Sequence, residues 1–180
     1  MPATLIVEDG TIVANANSYV TVAEVTAFCV NYGLDSWSSL GNTEKITATI
    51  RATAFIDSEY NFKGIKMSFD SPLEWPRWGV YDESDVDLTN LTPEEMYFYQ
   101  EIPQALKNAC CRAAYEESVS VGVLQSNLVS GIKREKTDVL ETEYFGSTPS
   151  SAPSKTVYRT IEGFLKNLIT NKNTAIIKRT

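Results

Sequence analysis

The side chains able to do chemistry in this chain are carboxylates and thiols, because the sequence of 180 residues contains no histidine. Without an imidazole there is no Ser-His-Asp triad, no Cys-His pair and no histidine-containing zinc site. The three cysteines are odd in number and two of them, Cys110 and Cys111, are adjacent. Neither a disulfide framework nor the spaced thiolates of a metal site is indicated, and the usage fits a reducing compartment. A phosphate-cradling G-x-x-x-x-G-K-[ST] loop is missing, the nearest approach being Lys63-Gly64 in reverse order. Glu83, Asp85, Asp87 and Glu94 fall at calcium-loop spacing, but the first ligand is Glu rather than Asp and Leu88 stands where the turn needs glycine. Glu94-Glu95 and Glu116-Glu117 are paired carboxylates, yet adjacent residues on a helix diverge and usually form a wetted face. No catalytic residue, metal ligand or cofactor is assigned, and the chain reads as a non-enzyme.

Recognition chemistry is better represented. In Leu73-Glu74-Trp75-Pro76-Arg77-Trp78, two of the three tryptophans flank a proline and an arginine. Pro76 fixes its own φ and pushes Trp75 into an extended conformation. The indoles offer faces on which the Arg77 guanidinium can stack. Such a loop either braces its own core or anchors a partner. Charge is segregated: Asp82, Glu83, Asp85, Asp87, Glu94, Glu95 and Glu101 fall in a span with no Lys or Arg between Arg77 and Lys107. That block is either a solvated loop or an electronegative lining that keeps DNA sliding past it. Toward the C-terminus Lys166, Lys172, Lys178 and Arg179 follow Glu162 with no further acid. This basic tail also carries the apolar triplet Ala175-Ile176-Ile177, and it reads either as disorder or as a segment that orders on a partner.

Positioning these groups falls mostly to helices. Thr4–Glu8 and Thr11–Ala14 around Asp9-Gly10 predict a β-hairpin. Thr21-Val22-Ala23-Glu24 has capping-box spacing, and Val22, Val25, Phe28, Cys29 and Tyr32 share a face, so a helix spans about 22–32 and ends at Gly33. A second helix is predicted between Thr43 and Tyr60, with Ile46, Ile50, Ala54, Phe55, Ile56 and Tyr60 as its apolar positions. Thr92-Pro93-Glu94-Glu95 predicts a short helix over about 93–100. Pro103 opens a third long helix with a narrow stripe of Leu106, Ala109, Cys110, Ala113 and Ala114, suited to close packing at the core. Ile132–Lys136 and Val139–Tyr144 around Thr137-Asp138 predict a charged hairpin over about 131–144. After a Ser/Pro linker at 147–154, Val157, Ile161, Phe164, Leu165 and Leu168 mark a last helix over about 155–169.

Taken in order, a set of short motifs resembles one known family. It runs through Val7-Glu8-Asp9-Gly10-Thr11, Ala16–Glu24, Ile50–Asp57, Phe62-Lys63-Gly64, Leu73–Trp78, Ile102–Cys110, Ile132–Lys136 and Glu143-Tyr144. The family is that of tailed-bacteriophage head–tail adaptor (head-completion, connector) proteins, often labelled DnaT-like single-stranded-DNA-binding protein. The likeness covers about residues 5–169 and departs from the family at the acidic insert after Trp78 and the tail after Ile169. It implies a virion protein made in the host bacterial cytoplasm and placed at the head–tail junction. There it forms a homo-oligomeric ring, a dodecamer, which docks on the portal protein, extends the DNA channel and carries the next neck or tail-completion protein. Duplex DNA passes through the lumen without specific binding. Under this resemblance Phe164, Leu168, Ala175, Ile176, Ile177, Lys178 and Arg179 dock on the portal. Lys133, Arg134, Lys136, Glu141 and Glu143 of the hairpin meet neighbouring subunits or the lumen, and Trp75, Pro76, Arg77 and Trp78 brace the fold or an interface.

The alternative is a single-stranded-DNA-binding replication accessory, with Lys133, Arg134, Lys136, Tyr144 and Tyr158 supplying charge and stacking. Glu135, Glu141 and Glu143 interleave with those cations. The net charge of −7 and the sequence pI near 4.7 work against phosphate affinity. Apolar residues make up 43% of the chain, enough for one core without disulfides or metal. The N-terminus lacks the basic and apolar regions of a signal peptide, and no apolar run reaches membrane-spanning length. The expectation is a mainly α-helical single domain over 1–169, a small helix bundle with a protruding β-hairpin, followed by a docking tail over 170–180.

Overall fold

The stripe of small residues predicted on the third long helix is the centre of the molecule. In the computed structural model, which describes residues 3–80, 101–125, 134–137, 140–143 and 158–170, the four α-helices are α1 (Val22–Asn31), α2 (Asn42–Glu59), α3 (Gln104–Val119) and α4 (Arg159–Leu165). Leu106, Ala109, Cys110, Ala113 and Ala114 of α3 are completely buried. Helices α1, α2 and α4 all pack against α3, α2 most extensively. Alanines at the contact let helix axes approach closely. The mainly helical class is as expected. Most of the acidic block, the helix over about 93–100, the linker at 147–154 and the tail from Asn171 lie outside the described residues.

Helix α1 begins as its capping box dictates. Thr21 Oγ1 accepts from the Glu24 amide at 3.1 Å, and Glu24 Oε2 accepts from the Thr21 amide at 2.7 Å. Its end is Gly33, at φ +65, one residue past the Tyr32 cap. Helix α2 has the predicted span but a different buried face. Ala48, Thr49, Ala52, Thr53, Phe55 and Ile56 are buried, while Ile46 and Ile50 are half-buried and Ala54 is exposed. The crowded side against α3 takes small residues, and the threonine hydroxyls are satisfied within the helix. Thr49 donates to the Lys45 carbonyl at 2.7 Å and Thr53 to the Thr49 carbonyl at 3.2 Å.

Other expectations need correction. The N-terminal segment is not a hairpin: Val7 pairs with Ser18 in a parallel bridge, and the turn between them wraps a single side chain. The Glu8 carboxylate is buried and accepts from the amides of Gly10 (2.9 Å), Ile12 (3.0 Å) and Val13 (2.9 Å). Three converging amides satisfy that carboxylate, which a two-strand ladder could not do. Helix α4 is shorter than predicted, because after Leu165 the chain closes in a turn, the Leu168 and Ile169 amides both donating to the Leu165 carbonyl (2.8 and 3.1 Å), before Ile169 bridges to Phe62. Strands β1 (Ile65–Lys66) and β2 (Arg77–Trp78) form one antiparallel pair, and β3 (Arg134–Thr137) and β4 (Leu140–Glu143) another. The second pair is the expected charged hairpin, with Thr137 opposite Leu140, so Asp138-Val139 rather than Thr137-Asp138 lies between its strands.

Candidate functional site

Residues 61–80 leave the end of α2 as a lobe, run out to a turn and return, and the root of this lobe is tied down by one buried pair. The Tyr19 hydroxyl donates to Asp57 Oδ1 at 2.7 Å and accepts from the Trp75 amide at 3.1 Å. Asp57 Oδ2 accepts from the Glu74 amide at 3.1 Å. The N-terminal segment, α2 and the lobe thus meet at a single phenol and carboxylate. Burial pushes the Asp57 carboxyl up to about 6, against the opposing pull of the Tyr19 hydroxyl and the Glu74 amide. Burial, reinforced by the charge of Asp57, pushes the Tyr19 phenol far above the ordinary tyrosine range.

The Trp75–Trp78 segment divides between core and surface. Trp75 is 1% exposed, meets Phe62 edge-on with ring centroids 5.7 Å apart, and precedes Pro76 through a cis peptide bond. It is a core brace. Arg77 does not depend on an indole for its place. Its guanidinium donates to the carbonyls of Lys63 (2.8 Å), Gly64 (3.0 Å) and Glu74 (3.3 Å), and pairs with Glu74 Oε2 at 2.7 Å. Five donors in a planar fork can gather several carbonyls where the chain enters and leaves the lobe, and that holds the neck shut. Gly64 is required there: it sits at φ +71, and a Cβ would lie 2.0 Å from the Trp78 carbonyl oxygen.

Beyond the neck the lobe presents apolar side chains to solvent. Ile65 stands opposite Trp78 across the β1–β2 pair, with 72% and 37% of their surfaces exposed. At the far end the Ser71 amide donates to the Ser68 carbonyl at 3.3 Å, closing a turn that has Phe69 and Asp70 at its corners. Phe69 is fully exposed. An outward phenylalanine on a turn whose root is pinned by buried hydrogen bonds is the arrangement of a contact point.

The remaining sequence-predicted residues are dispersed. Leu168 is completely buried and Phe164 packs edge-on against Phe28 at 6.1 Å, so both hold α4 to the body. Leu168, just past the end of α4, is thus turned into the body and offers no surface in the free chain. Ala175, Ile176, Ile177, Lys178, Arg179, Lys133 and Tyr144 lie outside the described residues. Arg134, Lys136, Glu141 and Glu143 are strand residues, registered Arg134 opposite Glu143 and Lys136 opposite Glu141. Tyr158 is engaged internally, donating to the Val123 carbonyl at 3.0 Å and meeting Phe55 edge-on at 5.5 Å.

Sequence reading missed the polar braces. Besides Glu8 and the Tyr19–Asp57 pair, Glu117 is buried at the end of α3. It accepts from Arg51 Nη1 (3.1 Å) and the Gly122 (2.7 Å) and Leu124 (3.3 Å) amides. The acidic residue before Asp9-Gly10 was the one local signal, since a carboxylate beside a turn can collect its amides. The cysteines are core residues: burial pushes the thiol of Cys29 up to about 11 and that of Cys111 up to about 12, so neither is a ready nucleophile. Among the described residues no helix is long and apolar enough to cross a membrane.

Fold and site together define a mainly α-helical domain whose buried polar groups brace its own loops and whose lobe displays apolar side chains. The chain belongs to the family described as "Putative DnaT-like ssDNA binding protein", whose profile matches residues 3–180. No curated protein and no solved structure matches it significantly.

Proposed function

We propose that the protein is a structural assembly subunit: a head–tail adaptor that forms a ring, docks on the portal of a tailed bacteriophage, extends its DNA channel and receives the next neck or tail protein. The observation that supports this most is the lobe, which holds Ile65, Phe69 and Trp78 outward from a root fixed by Tyr19, Asp57 and Arg77. A rigid apolar projection serves binding to another protein surface. The motif set shared with adaptor proteins supplies the particular assembly. In this reading the tail, with Ala175, Ile176, Ile177, Lys178 and Arg179, is the portal-docking segment.

The test is deletion of residues 171–180, which leaves intact the bond from the Thr170 amide to the Asn61 carbonyl at 2.8 Å. The truncated chain is expected to melt like the parent and to lose attachment to portal-containing heads. Normal attachment would move the portal contact elsewhere on the chain. Failure of the full chain to bind such heads would remove the adaptor reading. The family description favours a second reading, single-strand DNA binding, which a net charge of −7 opposes.

A further inference from the structure

The charged hairpin has almost nothing apolar to bury: of its strand residues only Leu140 is hydrophobic. What it offers a partner is therefore backbone edges and charge. Among the described residues β3 and β4 pair only with each other, which leaves each strand an edge of N–H and C=O groups. A two-stranded hairpin is marginal in water by itself, and further strands are what stabilise it. Charge on the hairpin is sorted by strand. Residues two apart share a face of a sheet, so Arg134 and Lys136 of β3 lie on the same face as Glu143 and Glu141, which stand opposite them on β4. On that face β3 is the cationic strand and β4 the acidic one. Glu135 falls on the other face, opposite Thr142. Each charge on the ladder thus has an opposite neighbour toward the inside of the hairpin and, among the described residues, none toward its edge.

We propose that β3 of one copy pairs edge to edge and antiparallel with β4 of a second copy of this chain, so that its cations stand between two acidic strands and the hairpins run on as one sheet. The inference rests on the assembly reading and names the surface through which subunits join. The sorting of charge selects this pairing over the others that open edges allow. A two-fold axis through the sheet would set β3 against β3 or β4 against β4. With faces matched, every antiparallel register of β3 on itself that overlaps its cations puts Arg134 or Lys136 opposite a cation, and the same pairing of β4 puts acid opposite acid. Like charges directly opposite destabilise a strand pair and unlike charges stabilise it. Between β3 and β4 the hairpin's own register, or a shift of two from it, always sets cation opposite acid. Copies turned about an axis parallel to the strands keep the strand direction, so the order β3, β4, β3, β4 is antiparallel throughout. Joining two different edges is head-to-tail, and its repetition leads to a closed ring or a filament. One junction of strands this short is weak and gains strength from closure.

Cross-linking reads such a contact even when it is weak, and exchange of charge tests its cause. The native cysteines are buried, so Glu135→Cys and Thr142→Cys each add one thiol to the full-length chain, at positions on the face away from the charged ladder. Oxidised with diamide as an equal mixture, the two variants are expected to give a mixed covalent dimer in at least tenfold excess over the dimers that either gives alone. Exchanging the strand charges, Arg134→Glu and Lys136→Glu together with Glu141→Lys and Glu143→Lys, keeps every opposite pair within the hairpin. Made in one partner only, the exchange sets like charges across the junction and is expected to abolish the mixed dimer; made in both, it is expected to restore it. Like-with-like dimers in place of the mixed one, or no dimer at all, overturn the proposal. So does a yield that exchange in one partner leaves unchanged, or that exchange in both fails to restore. If the melting temperature shows that four changes unfold the chain, Arg134→Glu with Glu143→Arg takes their place, held to the same outcomes. A mixed dimer formed by a chain that does not bind portal-containing heads would leave this contact standing and remove the adaptor reading. Attachment without the mixed dimer would do the reverse.

Discussion

Asp57 shows how much of the lobe depends on one side chain. Its carboxyl holds a proton to about pH 6 when folded and, from an ordinary value of 3.8, releases it earlier when unfolded. Between those values the folded state binds more protons, so this group's contribution falls as pH rises from about 4 to about 6 and is flat above. A shift of that size corresponds to at most about 3 kcal/mol. Asp57→Asn is expected to lose this dependence, measured as the difference in melting temperature between variant and parent at pH 5 and pH 7. A difference that stays constant across that range would show that the carboxyl titrates normally. Trp75→Ala removes a wholly buried indole and is expected to cost about 3–5 kcal/mol in chemical denaturation. An unchanged midpoint would make the segment an interface rather than a brace. Trp75 was legible as a bracing aromatic from its neighbours in sequence. Tyr19, its partner from another part of the chain, was not, because nothing in local spacing pairs a tyrosine with an aspartate so far along.

The starts of α1 and α3 were legible because capping is local: Thr21 and Glu24 announce α1, and Pro103 opens α3, whereas no local signal marks the end of α4 at Leu165. Nor was the buried face of α2 legible. Periodicity favoured Ile46, Ile50, Ala54, Phe55, Ile56 and Tyr60, of which Phe55 and Ile56 are buried, but the helix that α2 meets carries alanines, and close approach adds Ala48, Thr49, Ala52 and Thr53 in place of Ile46, Ile50 and Ala54. Which side of a helix is innermost depends on its neighbour's side chains, and a single segment does not contain them. Ala52→Leu is therefore expected to destabilise by about 1–3 kcal/mol through overpacking, a larger effect than the same change at the exposed Ala54. Equal effects at both positions would place the contact face elsewhere. The same reasoning explains the candidate site: Trp78 was visible in the motif, whereas Phe69 became notable only when the turn at Ser68–Ser71 left it without neighbours.

For the molecule as a whole, charge is the property on which the two functional readings make different predictions. At a net charge of −7 the purified chain is expected to bind labelled single-stranded oligonucleotide negligibly at physiological salt. Sub-micromolar binding that weakens steeply with added salt would favour the DNA-binding reading over the adaptor. The mainly helical class and the charged hairpin could be read from the sequence. The placement of the lobe and of the polar braces could not, since each joins segments far apart along the chain.

The bridge between Phe62 and Ile169 has a consequence for synthesis. Thr170 and Asn61, hydrogen-bonded beside it, are 109 positions apart. A ribosome therefore delivers the lobe long before the strand that seals its base, because chains emerge from the N-terminus onward. Until Leu168 and Ile169 arrive, Phe62 lacks that cover, and Trp75 leans on an incomplete wall. An interrupted chain would keep the ties among Tyr19, Asp57 and Arg77 but leave Phe62 uncovered, so the wall behind Trp75 is the last part of the fold to close.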